Sequence, residues 1–172
     1  MQLSTFAFLA LAGASLCAAL PTDLANFLLV TTAQANPGAN TSDLKAVSAT
    51  SLFDPFNQPG LLLRLTGPGY NSLPTFTISS GTLSTVAQAP FNGGPKLYNS
   101  TVVEAGKQLQ FVAAVQPTGN LALDENYLLT VNGEKSGWTI CDGALDTDVL
   151  SWKGTGEGCE ATYLHAVTKA PY

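Results

Sequence analysis

Trp138-Thr139-Ile140-Cys141-Asp142-Gly143-Ala144-Leu145-Asp146-Thr147 is the run whose reading decides the fold of this chain. It reads as a short strand, a tight turn at Asp142-Gly143 and a second strand. Asp-Gly between apolar runs favours a hairpin, because such a turn needs a left-handed φ that glycine adopts at little cost. An earlier stretch repeats the phrase: Phe76-Thr77-Ile78-Ser79-Ser80-Gly81-Thr82-Leu83-Ser84-Thr85. Without gaps the two match at Thr77/Thr139, Ile78/Ile140, Gly81/Gly143, Leu83/Leu145 and Thr85/Thr147, and Phe76 meets Trp138 at the front. This predicts one hairpin used twice, in equivalent places of two similar halves.

Outward from these phrases the chain is a series of short apolar runs cut by turn signals. Phe27–Thr32 is apolar and β-branched, and Asn36-Pro37-Gly38 breaks it. Lys45–Ala49 follows, and Leu61–Leu65 is nearly continuous in apolar residues, the mark of a strand covered on both faces. Thr101–Glu104 and Lys107–Val112 flank Ala105-Gly106 and predict a further hairpin, with apolar positions alternating at Leu109, Phe111 and Ala113. Tyr127–Val131 runs into Asn132-Gly133, the strongest turn signal present. Short helical turns have room only at Leu24–Leu29 and Asp43–Val47. Many short strands at regular spacing predict an all-β chain, an antiparallel two-sheet sandwich. A β-barrel of trefoil type is the alternative, and it demands a third copy of the hairpin that the sequence does not offer.

The first nineteen residues carry no charged side chain and hold an apolar run, Phe6–Ala19, too short to span a bilayer and ending in small residues. This predicts a secretory signal peptide over 1–19, cleaved after Ala19 with Ala18 as the alternative, and 20–172 as a single β domain. Charged residues make up 11% of the 172 residues, against about 25% in typical soluble domains. Solubility therefore falls to Ser, Thr, Asn, Gln and Gly, which suits the space of a cell wall. A net charge of −5 with scattered lysines and arginines argues against nucleic acid and anionic membranes as partners, since both require a basic face.

Cys17 leaves with the signal peptide, so Cys141 and Cys159 remain as a pair in an oxidising compartment and are expected to be disulfide-bonded. Closing that loop is worth about 3 kcal/mol on chain-entropy grounds. Two sequons, Asn40-Thr41-Ser42 and Asn99-Ser100-Thr101, predict N-glycosylation at Asn40 and Asn99.

Catalytic constellations are hard to assemble. His165 is the sole histidine and lies in an apolar C-terminal run, where it reads as a sheet-face residue rather than a general base. No Gly-x-Ser-x-Gly elbow is present. Asp142, Asp146, Asp148, Glu157 and Glu160 gather near the cysteines and read as solvated loop charge, although a pair of carboxylates is all that glycoside hydrolysis needs. Asp146-x-Asp148 lacks the ligand spacing of a calcium loop, and Gly154-x-Gly156-x-Gly158 runs into Cys159 instead of a helix, so it reads as a flexible connection. Trp138, Trp152 and Tyr70 are candidate stacking residues for a sugar, with core packing the weightier reading for the two tryptophans. No catalytic residue, metal or cofactor is assigned.

The signal peptide, Gly137-Trp138-Thr139-Ile140-Cys141 with Gly143 and Leu145, Val149-Leu150 with Trp152-Lys153-Gly154, Cys159 and the ending Pro171-Tyr172 resemble a family of small secreted fungal proteins. That family is described as IgE-binding or cell-wall-associated, with some relatives eliciting plant defence. A more distant similarity is to phialide cell-wall protein. The resemblance implies fungal origin, secretion, wall association and contact with a host, and it supplies no functional residues to carry over. The expected function is recognition at the host interface by a non-enzymatic monomer. Its partners would be host extracellular proteins or wall polysaccharide, met through the loops Asn36–Thr41, Gly67–Asn71, Asn92–Pro95 and Gly154–Gly158. A carbohydrate-binding module and a small glycoside hydrolase are the alternatives.

Overall fold

A computed structural model describes residues 24–36, 44–50, 60–66, 73–89, 94–144 and 146–169. The expected signal peptide, Asn40, Tyr70 and the loop at Gly67–Asn71 lie outside these residues, as do 37–41 of the loop expected at Asn36–Thr41 and 92–93 of that expected at Asn92–Pro95. Fourteen strands and no helix occur among the described residues: β1 (Leu24–Thr32), β2 (Lys45–Thr50), β3 (Gly60–Thr66), β4 (Phe76–Ser79), β5 (Thr82–Gln88), β6 (Pro95–Ser100), β7 (Lys107–Gln108), β8 (Gln110–Val112), β9 (Leu121–Leu123), β10 (Leu129–Val131), β11 (Trp138–Asp142), β12 (Asp148–Trp152), β13 (Glu160–Ala161) and β14 (Tyr163–Val167). The chain is all-β and every pairing is antiparallel, as the alternating runs predict. Leu24–Leu29 and Lys45–Val47, where helical turns had room, are strand.

Twelve strands belong to one sheet, and β9 and β10 form a second, small one. Along the large sheet the order β3-β2-β1-β4-β5-β6-β8 returns to β3, because β8 pairs with β3 through Leu61↔Phe111. The sheet thus doubles over, and its two halves enclose one core. It is not a closed barrel: β7, β11, β12 and β13 branch away through β3, and β14 through β1. The two facing layers expected of a sandwich are here largely one hydrogen-bonded sheet.

Period-two patterning fills the interior. Phe76 and Ile78 of β4 and Leu83 of β5 are fully buried, whereas Thr77 and Ser84 between them are only partly covered. Phe27, Phe76 and Phe111, from three different strands, stack at centroid distances of 6.3 and 6.2 Å with tilted planes. Each such side chain contributes about 1.5–3 kcal/mol by leaving water, and the tilted geometry adds to this. The small sheet closes one side with Leu121, Leu123, Leu129 and Val131, all in the same core.

Two turns follow the local chemistry directly. Ser80-Gly81 (φ 49° and 75°) joins β4 to β5, and Asn132-Gly133 (φ 51° and 82°) follows β10 and closes on Glu134. Both have paired left-handed residues, the conformation whose twist matches flanking strands. The expected tight turn at Asp142-Gly143 does not form. β11 continues to Asp142, β12 begins at Asp148, and a longer loop joins them, closed by the Gly143 amide donating to Thr147 O at 2.7 Å. Among its described residues the left-handed one is Asp146 (φ 54°), not Gly143. Glycine is needed at 143 for room: a Cβ there would stand 2.8 Å from Thr147 O and Val149 Cγ1. The matched phrases therefore make unlike hairpins. Ile78 pairs with Leu83, but Ile140 pairs with Leu150 rather than with the matched Leu145.

The hairpin expected around Ala105-Gly106 is also redirected. The turn forms, with the Lys107 amide donating to Glu104 O, but β7 pairs with β12, and β8 with β3 and β6. Residues 101–104 are not strand; Asn120 takes a strand's place beside them. Its Oδ1 accepts from the Val103 amide at 2.9 Å, and its Nδ2 donates to Val103 O at 2.8 Å.

Candidate functional site

The disulfide between Cys141 and Cys159 is present, with Cα atoms 4.1 Å apart. It ties the far end of the loop 153–158 to β11. The near end is held by the Lys153 amide donating to Gly137 O at 2.6 Å and the Gly154 amide donating to Thr139 Oγ1 at 3.2 Å. Gly154 must be glycine on steric grounds, since a Cβ would stand 2.7 Å from Cys141 Sγ and 2.8 Å from Thr139 Oγ1. Lys153 lies 5.5 Å from the Trp152 ring centre and 2.7 Å from Glu134. Thr155, Gly156, Glu157 and Gly158 stay exposed between these anchors. A glycine-rich segment read from sequence as a flexible connection is thus pinned at both ends.

The acidic residues near the cysteines take positions around this loop. Asp142 and Asp148 face each other as the last pair of β11 and β12, and the Asp142 carboxylate lies against Gly158. Both aspartates are exposed, as is Glu160 at the start of β13. Directly opposed like charges disfavour a sheet pair, and water relieves that cost only at an exposed end such as this. Among the described residues no three His, Cys, Asp or Glu side chains converge as a metal site.

Trp138 and Trp152 are directly opposed in β11 and β12 and pack edge to face at 5.1 Å. They are 0% and 5% exposed, so neither offers a ring face to a sugar. The stacking platform considered from sequence is not formed by them, because both indoles sit on the core face of the sheet. The Trp138 Nε1–H donates to Leu129 O at 2.8 Å and so joins the large sheet to the small one.

His165 sits in β14 opposite Val30 and bridges to Leu128. Its Nδ1 is buried without a hydrogen-bond partner among the described residues. Burial lowers its pKa below the ordinary 6.5, while the Asn126 backbone and the Asp124 charge act the other way. Asp124 itself is engaged elsewhere: its carboxylate accepts from the amides of Asn126 and Leu128 and pairs with Lys135 at 3.2 Å.

A second surface feature was not legible in the sequence. Residues 114–118 run past the first hairpin and the outer face of β6, leaving an open groove of about 340 Å³. Ser79, Ser80, Thr82 and Thr118 supply hydroxyls, Asn99 and Gln116 supply amides, and Leu97, Val115 and Pro117 are its apolar side. Among the described residues no acid, histidine, lysine or arginine lines it. Asn99, one of the two sequon asparagines, projects into this groove, and its Nδ2 donates to Ala114 O at 3.0 Å. No family model matches the chain, and neither the curated proteins nor the solved structures contain a match.

Proposed function

We propose that this is a secreted protein of a fungal wall or extracellular space that acts by recognition at the host interface, without turnover. The observation that carries the reading is the exposed loop 153–158, held at one end by the Cys141–Cys159 disulfide and at the other by backbone and Thr139 hydrogen bonds. A loop fixed in this way loses little freedom when a partner binds, which is how rigid scaffolds present contacts. The disulfide suits an oxidising compartment, and the low content of charge suits a wall. Likeness to the secreted fungal family in the Gly137–Cys141 phrase points the same way.

The chemistry on offer supports contact rather than catalysis. Among the described residues the groove holds hydroxyls and amides and no base to take a proton from them, and an unassisted hydroxyl is a weak nucleophile. Asp142 and Asp148 are exposed at a hairpin end, not enclosed where a carboxyl group would be held protonated as a general acid. Carbohydrate binding would have to use surfaces other than the two tryptophans.

The purified secreted protein should be incubated with chitin, β-glucan and xylan and also infiltrated into host tissue. A host response and no release of soluble sugar are the expected outcome. Sugar release that a single carboxylate substitution abolishes would overturn the proposal.

A further inference from the structure

The outer face of β5 and β6 carries exposed aliphatic side chains with a modification signal beside them. Alternation along β6 turns Tyr98 and Ser100 into the core and Leu97 and Asn99 outward. Leu97 is 56% exposed, its cross-strand neighbour Val86 59%, and Val115, across the groove, 95%. A cluster of bare aliphatic side chains is a liability on a surface as poor in charge as this one. Asn99, which lines the groove with Leu97 and Val115, begins the sequon Asn99-Ser100-Thr101.

We propose that Asn99 carries an N-linked glycan whose first sugars lie in the groove and cover Leu97 and Val115. The inference rests on the secretion reading, because the transfer takes place in the secretory lumen. There the Asn99 Nδ2 attacks C1 of an oligosaccharide activated as a polyprenyl pyrophosphate. The C1–N bond forms, the C1–O bond to pyrophosphate breaks, and Nδ2 gives up one proton. The second Nδ2 hydrogen survives, and it suffices for the bond to Ala114 O. That bond fixes the amide plane, so the glycan is aimed by the fold instead of swinging free. Sugars suit the groove chemically: their hydroxyls meet Ser80, Thr82 and Gln116, and their C–H faces meet Leu97 and Val115. The order of synthesis also permits the transfer. β8, the second strand to pair with β6, is C-terminal to the sequon, so Asn99 emerges before that side of its strand is closed. A glycan here reserves this face for sugar and leaves protein contacts to the disulfide-pinned loop.

The test expresses the full chain in a eukaryotic secretory host as wild type, Thr101→Ala and Thr101→Ser. Thr101→Ala destroys the sequon while keeping the Asn99 amide, and Thr101→Ser keeps both. Mass spectrometry of the peptide bearing Asn99 should show a glycan on secreted wild type and on Thr101→Ser, and bare asparagine on Thr101→Ala. The bare protein should bind an apolar fluorescent dye more strongly and elute as larger species, with its thermal unfolding still cooperative. Secreted wild type with unmodified Asn99 would overturn the inference and leave the secretion reading standing. So would a Thr101→Ala protein that binds the dye no more than Thr101→Ser. A chain retained in the cytosol, without glycan, would defeat both together.

Discussion

Gly81 and Gly119 cross backbone to backbone. A Cβ on either would collide with the carbonyl oxygen of the other, and the contact is reinforced by the Gly119 amide donating to Ser80 O at 3.2 Å and the Leu121 amide donating to Gly81 O at 3.0 Å. The first hairpin turn is thereby docked on the segment leading into the small sheet. Gly119→Ala should cost about 1–3 kcal/mol or more, since backbone has to move to admit the methyl group. Gly133→Ala is the comparison: its φ is 82°, but nothing stands within 4 Å of a Cβ, so only the left-handed penalty of about 1–2 kcal/mol applies. Denaturant midpoints of the two variants should rank Gly119→Ala as the less stable, and the reverse order would remove the docking role.

Asn120 makes two hydrogen bonds that a strand would otherwise supply to Val103. Asn120→Asp retains the acceptor and loses the donor, leaving Val103 O unpaired, and should cost about 1–3 kcal/mol. Asn120→Ala loses both. Amide exchange at Val103 is the local readout, and protection unchanged in Asn120→Ala would show that this pairing contributes nothing.

Sequence reading reached those features whose physics is local. Asn132-Gly133 turns as expected because two adjacent left-handed residues suffice, and β4 and β5 alternate as expected because Phe76, Ile78 and Leu83 all need the same face. Asp142-Gly143 carries an equally good local signal, but the pairing of Ile140 with Leu150 and of Trp138 with Trp152 sets a register that leaves a longer loop. Packing two indoles outweighs one turn preference. The groove and the doubling of the sheet depend on β8 meeting both β3 and β6, contacts between distant residues that no short window encodes.

The Trp138 indole is buried and hydrogen-bonded to the small sheet. Trp138→Phe should cost about 1–3 kcal/mol through the lost donor and the unfilled volume, with Leu129 O left unpaired. Tryptophan emission of the native protein should lie to the blue and resist quenching by iodide. Ready quenching of both tryptophans would place them on the surface instead.

His165 gives the stability a pH dependence of known sign. Its pKa in the folded chain is below 6.5, so in acid the unfolded chain takes up this proton first. Its stabilising contribution is complete above pH 6.5 and is lost as the pH falls from there through the lower folded value. In His165→Gln the drop in melting temperature between neutral and mildly acidic buffer should be smaller than in the wild type. An equal or larger drop in the variant would contradict the lowered pKa.

The most direct test of recognition through the pinned loop is the retention of host extracellular proteins on immobilised protein secreted from a eukaryotic host. Wild type, Asp148→Asn, His165→Gln and a loop variant with Thr155→Arg and Glu157→Arg are compared side by side. A defined set of host proteins should bind wild type, Asp148→Asn and His165→Gln alike and be lost from the loop variant, with the Cys141–Cys159 disulfide intact in all four. Retention unchanged by the loop substitutions, or lost on changing Asp148 alone, would contradict it.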